Sequence, residues 1–154
     1  MTRRFIRVQR ESFDSGWEIQ QLSQTGTDIG AVVSFTGFVR DFNENPEVTA
    51  LTLEHYPGMT EQALEQIAQQ AQERWRIKGL RIIHRVGRLE PGDPIVLVVT
   101  ASAHRQDAFD ACHFIMDFLK TRAPFWKKEH TADGDYWVSA RSSDAEAVQR
   151  WEQS

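Results

Sequence analysis

The chain has 154 residues, of which 40% are hydrophobic and 26% charged, and its formal net charge is −4. These values are typical of a soluble globular protein and exclude a disordered or fibrous one. The single cysteine excludes an internal disulfide framework and fits a reducing, cytoplasmic location. The acidic balance argues against nucleic acid or anionic membranes as general partners, and no apolar run approaches the roughly 18 residues of a membrane span.

The N-terminal half of the chain begins with predicted strands and continues into a helix. No repeat or Gly/Ser linker divides the sequence, so we expect one domain over residues 1–154. Residues 30–37 (GAVVSFTG) and 49–56 (TALTLEHY) are rich in β-branched and aromatic side chains and predict two strands. Apolar residues at three- and four-residue steps then predict an amphipathic helix over residues 60–75.

The C-terminal half repeats this order. Residues 80–87 and 95–101 predict two strands, and the second is apolar on both faces, which favours a central place in a sheet. A helix is predicted over residues 104–121 and must end before Pro124. Two short strands at 125–130 and 135–139 and a helix at 142–151 complete the chain. The order predicts an α+β domain with helices packed on a mainly antiparallel sheet.

Positive charge is concentrated at the end of the second long helix. Four cations, Lys120, Arg122, Lys127 and Lys128, fall within LKTRAPFWKKE and are opposed only by Glu129. A reversal at Pro124 would let Lys120 and Lys127 converge on one pocket beside two large aromatic residues. A desolvated lysine among cations loses basicity and can move protons near neutral pH, and the cluster would bind an anion. The alternative is that these cations only complement the helix dipole.

Two other segments could contact an anion. Ser102-Ala103-His104-Arg105 lies at a strand-to-helix junction, where unpaired N–H groups of the helix bind anions. Alternatively, His104 caps the helix and Arg105 is solvated. Gly37-Phe38-Val39-Arg40 lies where a strand enters a polar loop, and Arg40 could be an ordinary strand-end charge.

Metal or cofactor chemistry is not indicated. The five histidines show no paired ligand spacing, Cys112 falls on the buried stripe of its helix, and His84 lies on an apolar strand and is interpreted as a core residue. The sequence has no Walker loop, no GxGxxG and no GxSxG motif. We therefore expect neither a metal nor a cofactor.

Five long segments of the chain have distinctive sequences: SFTGFVRDFN (34–43), LTLEHYPGMTEQAL (51–64), IHRVGRLEPGD (83–93), TASAHRQDAF (100–109) and FIMDFLKTRAPFWKKE (114–129). Together they resemble one family, the catalytic (large, MoaE-type) subunits of molybdopterin synthase. The resemblance covers about residues 29–151. Residues 1–28 match no family motif, and the loop 41–48 has Asn45-Pro46 where a glycine is expected.

The resemblance implies a fold, partners and a reaction. The fold is an α/β hammerhead with a small additional antiparallel sheet. The partners are a second copy, forming a central homodimer, and a small ubiquitin-like sulfur carrier on each copy, forming a heterotetramer. The carrier's C-terminal Gly-Gly thiocarboxylate donates sulfur to cyclic pyranopterin monophosphate (precursor Z). Two successive additions give the dithiolene of molybdopterin.

The resemblance also implies the site residues. Lys120 and Lys127 match the two catalytic lysines. The residues that match the substrate-binding positions are Phe38, Val39, Arg40, His104, Arg105, Lys120, Lys127, Lys128 and Glu129. Glu129 is expected to pair with a lysine or arginine. Phe35 and Met116 either form an apolar wall of the site or belong to the core.

Two other functions remain open from the residues alone. The basic and aromatic patch could recognise phosphate, nucleotide or RNA without catalysis, since bases stack on aromatic side chains. The chain could also be a scaffold that only docks the carrier, with the lysines contacting its acidic tail. Each alternative predicts binding without formation of molybdopterin.

Overall fold

The computed structural model of the chain describes residues 3–42, 47–138 and 142–152, and the side chains of residues 142–145 are outside this description. The elements in chain order are β1 (Arg4–Gln9), α1 (Ser15–Ser23), β2 (Ala31–Phe38), β3 (Val48–His55), α2 (Met59–Arg74), β4 (Ile77–Arg85), β5 (Gly87–Leu89), β6 (Pro94–Ser102), α3 (Arg105–Arg122), β7 (Phe125–Thr131), β8 (Gly134–Val138) and α4 (Ser142–Glu152). Residues 43–46 of the divergent loop and residue 139 of a predicted strand lie outside the described residues.

The first sheet is mixed and has the strand order β1-β4-β6-β2. β1 runs parallel to β4, whereas β4 and β2 both run antiparallel to β6. β6 is central, as its two apolar faces predict, and most of its residues are fully buried. Strands buried on both faces are apolar throughout because neither face meets water.

Helices cover both faces of this sheet. α2, α3 and α4 cover one face, where Leu64, Phe114 and Ile115 pack against Leu80 and Ile82. α1 covers the other face, where a smaller cluster forms around Leu22, Ile83, Leu97, Val99 and Ala101. Because alternate residues of a strand point to opposite faces, β4 supplies even-numbered residues to the larger core and Ile83 to the smaller one.

The second sheet is antiparallel and has the strand order β5-β3-β7-β8. β4 leads almost directly into β5 through Gly87, whose φ of 91° is readily adopted only by glycine. A third buried cluster, Val39, Leu51, Leu53 and Leu89, lies on one face of this sheet. The chain thus passes from one sheet to the other without a long connection.

The fold class expected from the sequence is confirmed, as are the α+β arrangement and the additional antiparallel sheet. Three elements were not predicted: β1, α1 and β5. Asp14 accepts a hydrogen bond from the backbone N–H of Trp17 (3.0 Å), an N-cap that marks the start of α1. β5 has three residues and is too short to produce a periodic signal. Among the described residues, no helix is long and apolar enough to cross a membrane.

Candidate active site

The candidate site is built around the reversal between α3 and β7. Lys120 lies in the last turn of α3, and Ala123 already has extended backbone angles (φ −81°, ψ 130°). Extended angles are expected for a residue that precedes proline. The Phe125 N–H then donates to the Ala123 carbonyl (2.9 Å), which turns the chain into β7. Lys120 and Lys127 therefore lie on opposite sides of one tight bend.

A histidine from the first sheet packs against the start of β7. His84 is buried on β4, and its ring stacks on Phe125 with a centroid distance of 3.8 Å. Its Nδ1 lies 2.8 Å from the Arg85 carbonyl. Because a carbonyl only accepts, this contact places the proton of the neutral ring on Nδ1.

The environment of His84 keeps it uncharged. Burial, opposed by the hydrogen bond to Arg85 and reinforced by the positive charge of Lys120, lowers the pKa of His84 to about 3. Lys120 is thus close enough to act electrostatically on the ring that stacks on Phe125. The interpretation of His84 as a core residue is confirmed.

The two adjacent lysines of β7 point to opposite faces of the second sheet. Lys127 pairs with Leu53 and Val138 and shares the face of Phe125 and Glu129. Lys127 is thus on the same side as the His84 stack. The charge of Lys120 acts on His84, and Lys127 shares the strand face of Phe125, so both lysines lie toward this stack.

Lys128 lies on the outer face of the second sheet. Its Nζ is 4.0 Å from a carboxylate oxygen of Glu54 and 4.7 Å from the centroid of the Trp137 ring. An open groove of about 490 Å³ lies on this face, lined by Glu54, His55, Tyr56, Trp126 and Trp137. Lys128 is therefore separated by the strand itself from the face that carries Lys127.

The segment that follows β2 lies beside the lysine face. The side chain of Val39 is 4% exposed and packs in the same cluster as Leu53, the cross-strand neighbour of Lys127. Backbone hydrogen bonds join Val39 to Gly92 and Asp93. Phe38 and Arg40 are exposed. A substrate at this position would meet the side chain of Arg40 and not that of Val39.

His104 and Arg105 lie at the other end of α3. His104 is the N-cap residue and makes no side-chain capping hydrogen bond, which excludes its interpretation as a side-chain cap. At 1.5 Å per residue, the backbones of Arg105 and Lys120 are about 22 Å apart along the helix. One copy of the chain therefore does not bring His104 and Arg105 into contact with Lys120.

The remaining candidate residues divide between surface and core. No ion pair within 4.0 Å involves Glu129 in the described part of the chain, so the expected partner is not observed there. Met116 is buried in the main core, whereas Phe35 is 43% exposed on the edge strand β2. Of the two, only Phe35 has a surface that a ligand could contact.

Thr60 contacts the bend at Pro124, although the sequence did not indicate this contact. It is fully buried in the first turn of α2, and its hydroxyl donates to the Pro124 carbonyl over 3.1 Å. The residues are 64 positions apart, so no local pattern links them. The only signal was a threonine at a helix start, which is normally interpreted as a cap.

The single cysteine is shielded from solvent. Cys112 is buried in α3, as predicted, and burial raises the pKa of its thiol to about 12. A thiol that is neither ionised nor exposed is a poor nucleophile. In the part of the chain that the structure describes, no group of three or more His, Cys, Asp or Glu side chains could hold a metal ion.

Comparison with known proteins identifies the family. The sequence model of the MoaE protein matches residues 8–122. A relative from Pseudomonas aeruginosa named molybdopterin synthase catalytic subunit is 62% identical over 148 residues, which covers 96% of this chain and 99% of the relative. The match from residue 8 extends N-terminally beyond the segment that carries the sequence motifs.

Solved structures agree with this match. The molybdopterin biosynthesis MoaE protein from Burkholderia ambifaria is 52% identical and has a TM-score of 0.84. The match covers 99% of each of the two chains. The molybdopterin synthase structure from Staphylococcus aureus is 32% identical with a TM-score of 0.78, covering 86% of this chain and 95% of that one. The chain belongs to the MoaE family, whose members are molybdopterin synthase catalytic subunits.

Proposed function

We propose that this chain transfers sulfur from the thiocarboxylated C-terminus of a small carrier protein to cyclic pyranopterin monophosphate, forming the dithiolene of molybdopterin. The observation that carries this proposal is that Lys120 and Lys127, the two residues matching the catalytic lysines of the family, lie on the side of the His84–Phe125 stack: Lys120 acts electrostatically on His84, and Lys127 shares the strand face of Phe125. Two amines that act at one site can hold an anionic substrate and move protons at its reacting carbon.

The chemistry of the chain favours an external sulfur donor. Cys112 is the only cysteine in the sequence, and its thiol is buried with a pKa raised to about 12. A persulfide on this residue would have no access to a substrate at the surface. A carrier that brings sulfur as a C-terminal thiocarboxylate needs no cysteine on this chain.

The candidate residues divide into two roles. Arg40, His104 and Arg105 hold the cyclic phosphate and its neighbouring oxygens through charge-assisted hydrogen bonds. Lys127 orients the pterin and stabilises negative charge as the phosphate ring opens, and Lys120 assists proton transfer as the thiocarboxylate sulfur attacks the side-chain carbon. Two carriers act in succession, since each delivers one sulfur.

A homodimer is part of the proposal because of the length of α3. His104 and Arg105 begin a helix that carries Lys120 about 22 Å away, so one copy presents the two groups at separate ends. A two-fold axis that crosses α3 near its middle would place the helix start of one copy beside the helix end of the other. Each site would then combine Lys120 and Lys127 of one copy with His104 and Arg105 of its partner.

The rest of the proposed assembly follows from this dimer. Each copy is one domain over residues 1–154 and binds one carrier, which gives a heterotetramer. Phe38 lies two residues before Arg40, and Glu129 shares the face of Lys127, so both belong to the proposed substrate-binding set. Lys128 adjoins Lys127 in sequence and completes the set from the outer face of the strand. The protein acts in the cytoplasm, where its single cysteine stays reduced.

One assay tests the proposed function. The purified chain is incubated with thiocarboxylated carrier and cyclic pyranopterin monophosphate, and molybdopterin is measured. Formation of product is the expected result. Carrier binding without product would indicate a docking scaffold, and neither binding nor product would indicate a phosphate- or nucleotide-binding module. Carrier that ends in an ordinary carboxylate is the control and should give no product.

A further inference from the structure

The bend between the two lysines is attached to the core by one buried hydroxyl. Thr60 is fully buried at the start of α2. Its Oγ1 accepts a hydrogen bond from the Tyr56 backbone N–H (3.1 Å) and donates one to the Pro124 carbonyl (3.1 Å). Both functions of the hydroxyl, donor and acceptor, are therefore used. Pro124 itself has no N–H, so its carbonyl is the only backbone group with which it can be held.

The same bend is held from the opposite side by the first sheet. Phe125, the residue after Pro124, stacks on His84 with rings inclined by 18°. His84 is in turn fixed by its hydrogen bond to the Arg85 carbonyl. Two consecutive residues of the bend are thus held in place: Pro124 by α2 and Phe125 by β4.

The two lysines depend on this attachment to different degrees. Lys127 is fixed independently, because β7 pairs with β3 on one side and β8 on the other. Lys120 lies in the last turn of α3, where helices fray. Its position relative to Lys127 is therefore set by the six residues of chain between Lys120 and Lys127, which include the bend at Pro124 and Phe125.

We propose that Thr60 and His84 are positioning residues that fix the separation of the Lys120 and Lys127 amines. Neither residue contacts the substrate, and both act through Pro124 and Phe125. This inference rests on the proposed sulfur-transfer function. It goes further by assigning the geometry of the lysine pair to two residues outside the substrate pocket.

The proposal predicts a particular kinetic signature. If the bend is loosened, Lys120, which assists proton transfer, changes its position. Lys127, which binds the pterin, keeps its position. A displacement of catalytic groups by about 1 Å can lower the rate on the order of a hundredfold. The kcat for molybdopterin formation should therefore fall while the KM for the pterin substrate stays close to that of the wild type.

The test is Thr60→Val, which keeps the shape of the side chain and removes both hydrogen bonds. We expect kcat to fall on the order of tenfold to a hundredfold, with unchanged carrier affinity. Thr60→Ser retains the hydroxyl and should restore most of the lost rate. Thr100→Val is the matched control, because Thr100 is equally buried and its hydroxyl donates to the Ala108 carbonyl (2.7 Å), far from the bend.

A second variant tests the other side of the bend. In His84→Asn the amide can still donate to the Arg85 carbonyl, but the ring that stacks on Phe125 is lost. We expect the same fall in kcat without a matching rise in KM. If Thr60→Val does not fold, His84→Asn still tests whether the bend fixes the separation of the two lysines.

Three outcomes would overturn the inference. They are a wild-type kcat in both Thr60→Val and His84→Asn, an equal loss in Thr60→Ser and Thr60→Val, or an equal loss in Thr100→Val. A failure of the proposed function is distinguished by the wild-type chain, which would then form no molybdopterin at all.

Discussion

The two central lysines differ in their surroundings. Lys120 is exposed at the end of a helix, whereas Lys127 is half-buried between two strands. An exposed amine can exchange protons with solvent between reaction steps. A half-buried amine held in a sheet is better suited to fix one orientation of a bound ring. Their environments thus favour a proton-transfer role for Lys120 and a binding role for Lys127.

Substitution of the lysines tests these roles. Lys120→Ala should lower kcat by about 10²–10⁴, the usual contribution of a proton-transfer group, with little change in melting temperature because the side chain is exposed. Lys127→Ala should mainly raise the KM for the pterin. Lys78→Ala is the control, since Lys78 is an exposed lysine whose ion-pair partner is Asp28 (3.8 Å). Full activity in Lys120→Ala would refute the role of this residue.

Cys112 should be dispensable for sulfur transfer. Its buried thiol, with a pKa raised to about 12, should not react with an aromatic disulfide reagent in the folded protein and should react once the chain is unfolded. Cys112→Ala should retain molybdopterin formation and carrier dependence. Loss of activity in a variant that remains folded would indicate that a persulfide on this chain takes part.

His84 should make the protein less stable in acid. The folded state lowers the pKa of this residue from 6.5 to about 3. Above pH 6.5 the ring is neutral in both states, and as the pH falls toward 3 only the unfolded chain binds the proton. The free energy of unfolding should therefore decrease toward low pH, by up to about 1.4 kcal/mol per pH unit within this window.

Urea unfolding near neutral pH and again at about pH 5 measures this effect. His84→Asn removes the titrating ring, so the variant should lose less stability than the wild type between the two conditions. An equal loss in both proteins would assign the acid sensitivity to other groups.

At the scale of elements, the terminal helix α4 packs on the core through the buried Val148 and through Trp151. Trp151 packs edge-on against Trp75 and Phe114, with centroid distances of 5.6 Å in both cases. Its indole N–H donates to the Asp117 carboxylate (2.6 Å). The half-buried ring of Trp151 therefore joins α4 to both α2 and α3 through apolar and polar contacts.

Trp151→Ala should therefore destabilise the fold by about 2–3 kcal/mol, somewhat less than a fully buried tryptophan. Trp151→Phe keeps the ring contacts and loses the hydrogen bond, which should cost about 1 kcal/mol. Trp17→Ala, at a tryptophan that is 52% exposed, is the control and should cost less. The free energies follow from urea unfolding, and equal losses at Trp151 and Trp17 would contradict this attachment.

Most elements were predictable because their periodicity is strong. The two long helices differ from their predicted bounds by one residue at each end, and β6 was recognised as central from its two apolar faces. β1 was missed because RFIRVQ does not alternate: the adjacent apolar residues Phe5 and Ile6 pack on opposite faces of the sheet. α1 was missed because its cap at Asp14 precedes a short helix with few buried residues.

The sequence supplies the residues proposed for the candidate site, but it does not predict the geometry in which the fold holds them. The motif around Pro124 makes both lysines candidates, and strand alternation alone could have separated Lys127 from Lys128. The hydrogen bond from Thr60 to Pro124 could not be predicted, because it joins segments that only the packing of α2 beside the bend brings together. The same holds for the stack of His84 on Phe125.

At the scale of the whole molecule, the length of α3 predicts that catalysis requires two copies. If each site takes Lys120 from one copy and His104 from the other, a mixed dimer of Lys120→Ala and His104→Ala has one intact site. Equal mixing after unfolding and refolding should recover about one quarter of the wild-type activity, since half of the dimers are mixed. Molybdopterin formation measures the recovery. No recovery would place all site residues within one copy.

Successive side chains of β7 face opposite sides of the second sheet, which restricts where members of the family can accept an inserted residue. A strand that shifts by one residue presents every side chain to the opposite face. One residue inserted between Lys120 and Phe125 would therefore either be absorbed in the bend or exchange Lys127 with Lys128 at the catalytic face. We expect natural and engineered variants to accept insertions at the β7–β8 turn around Gly134 and to reject them at Pro124.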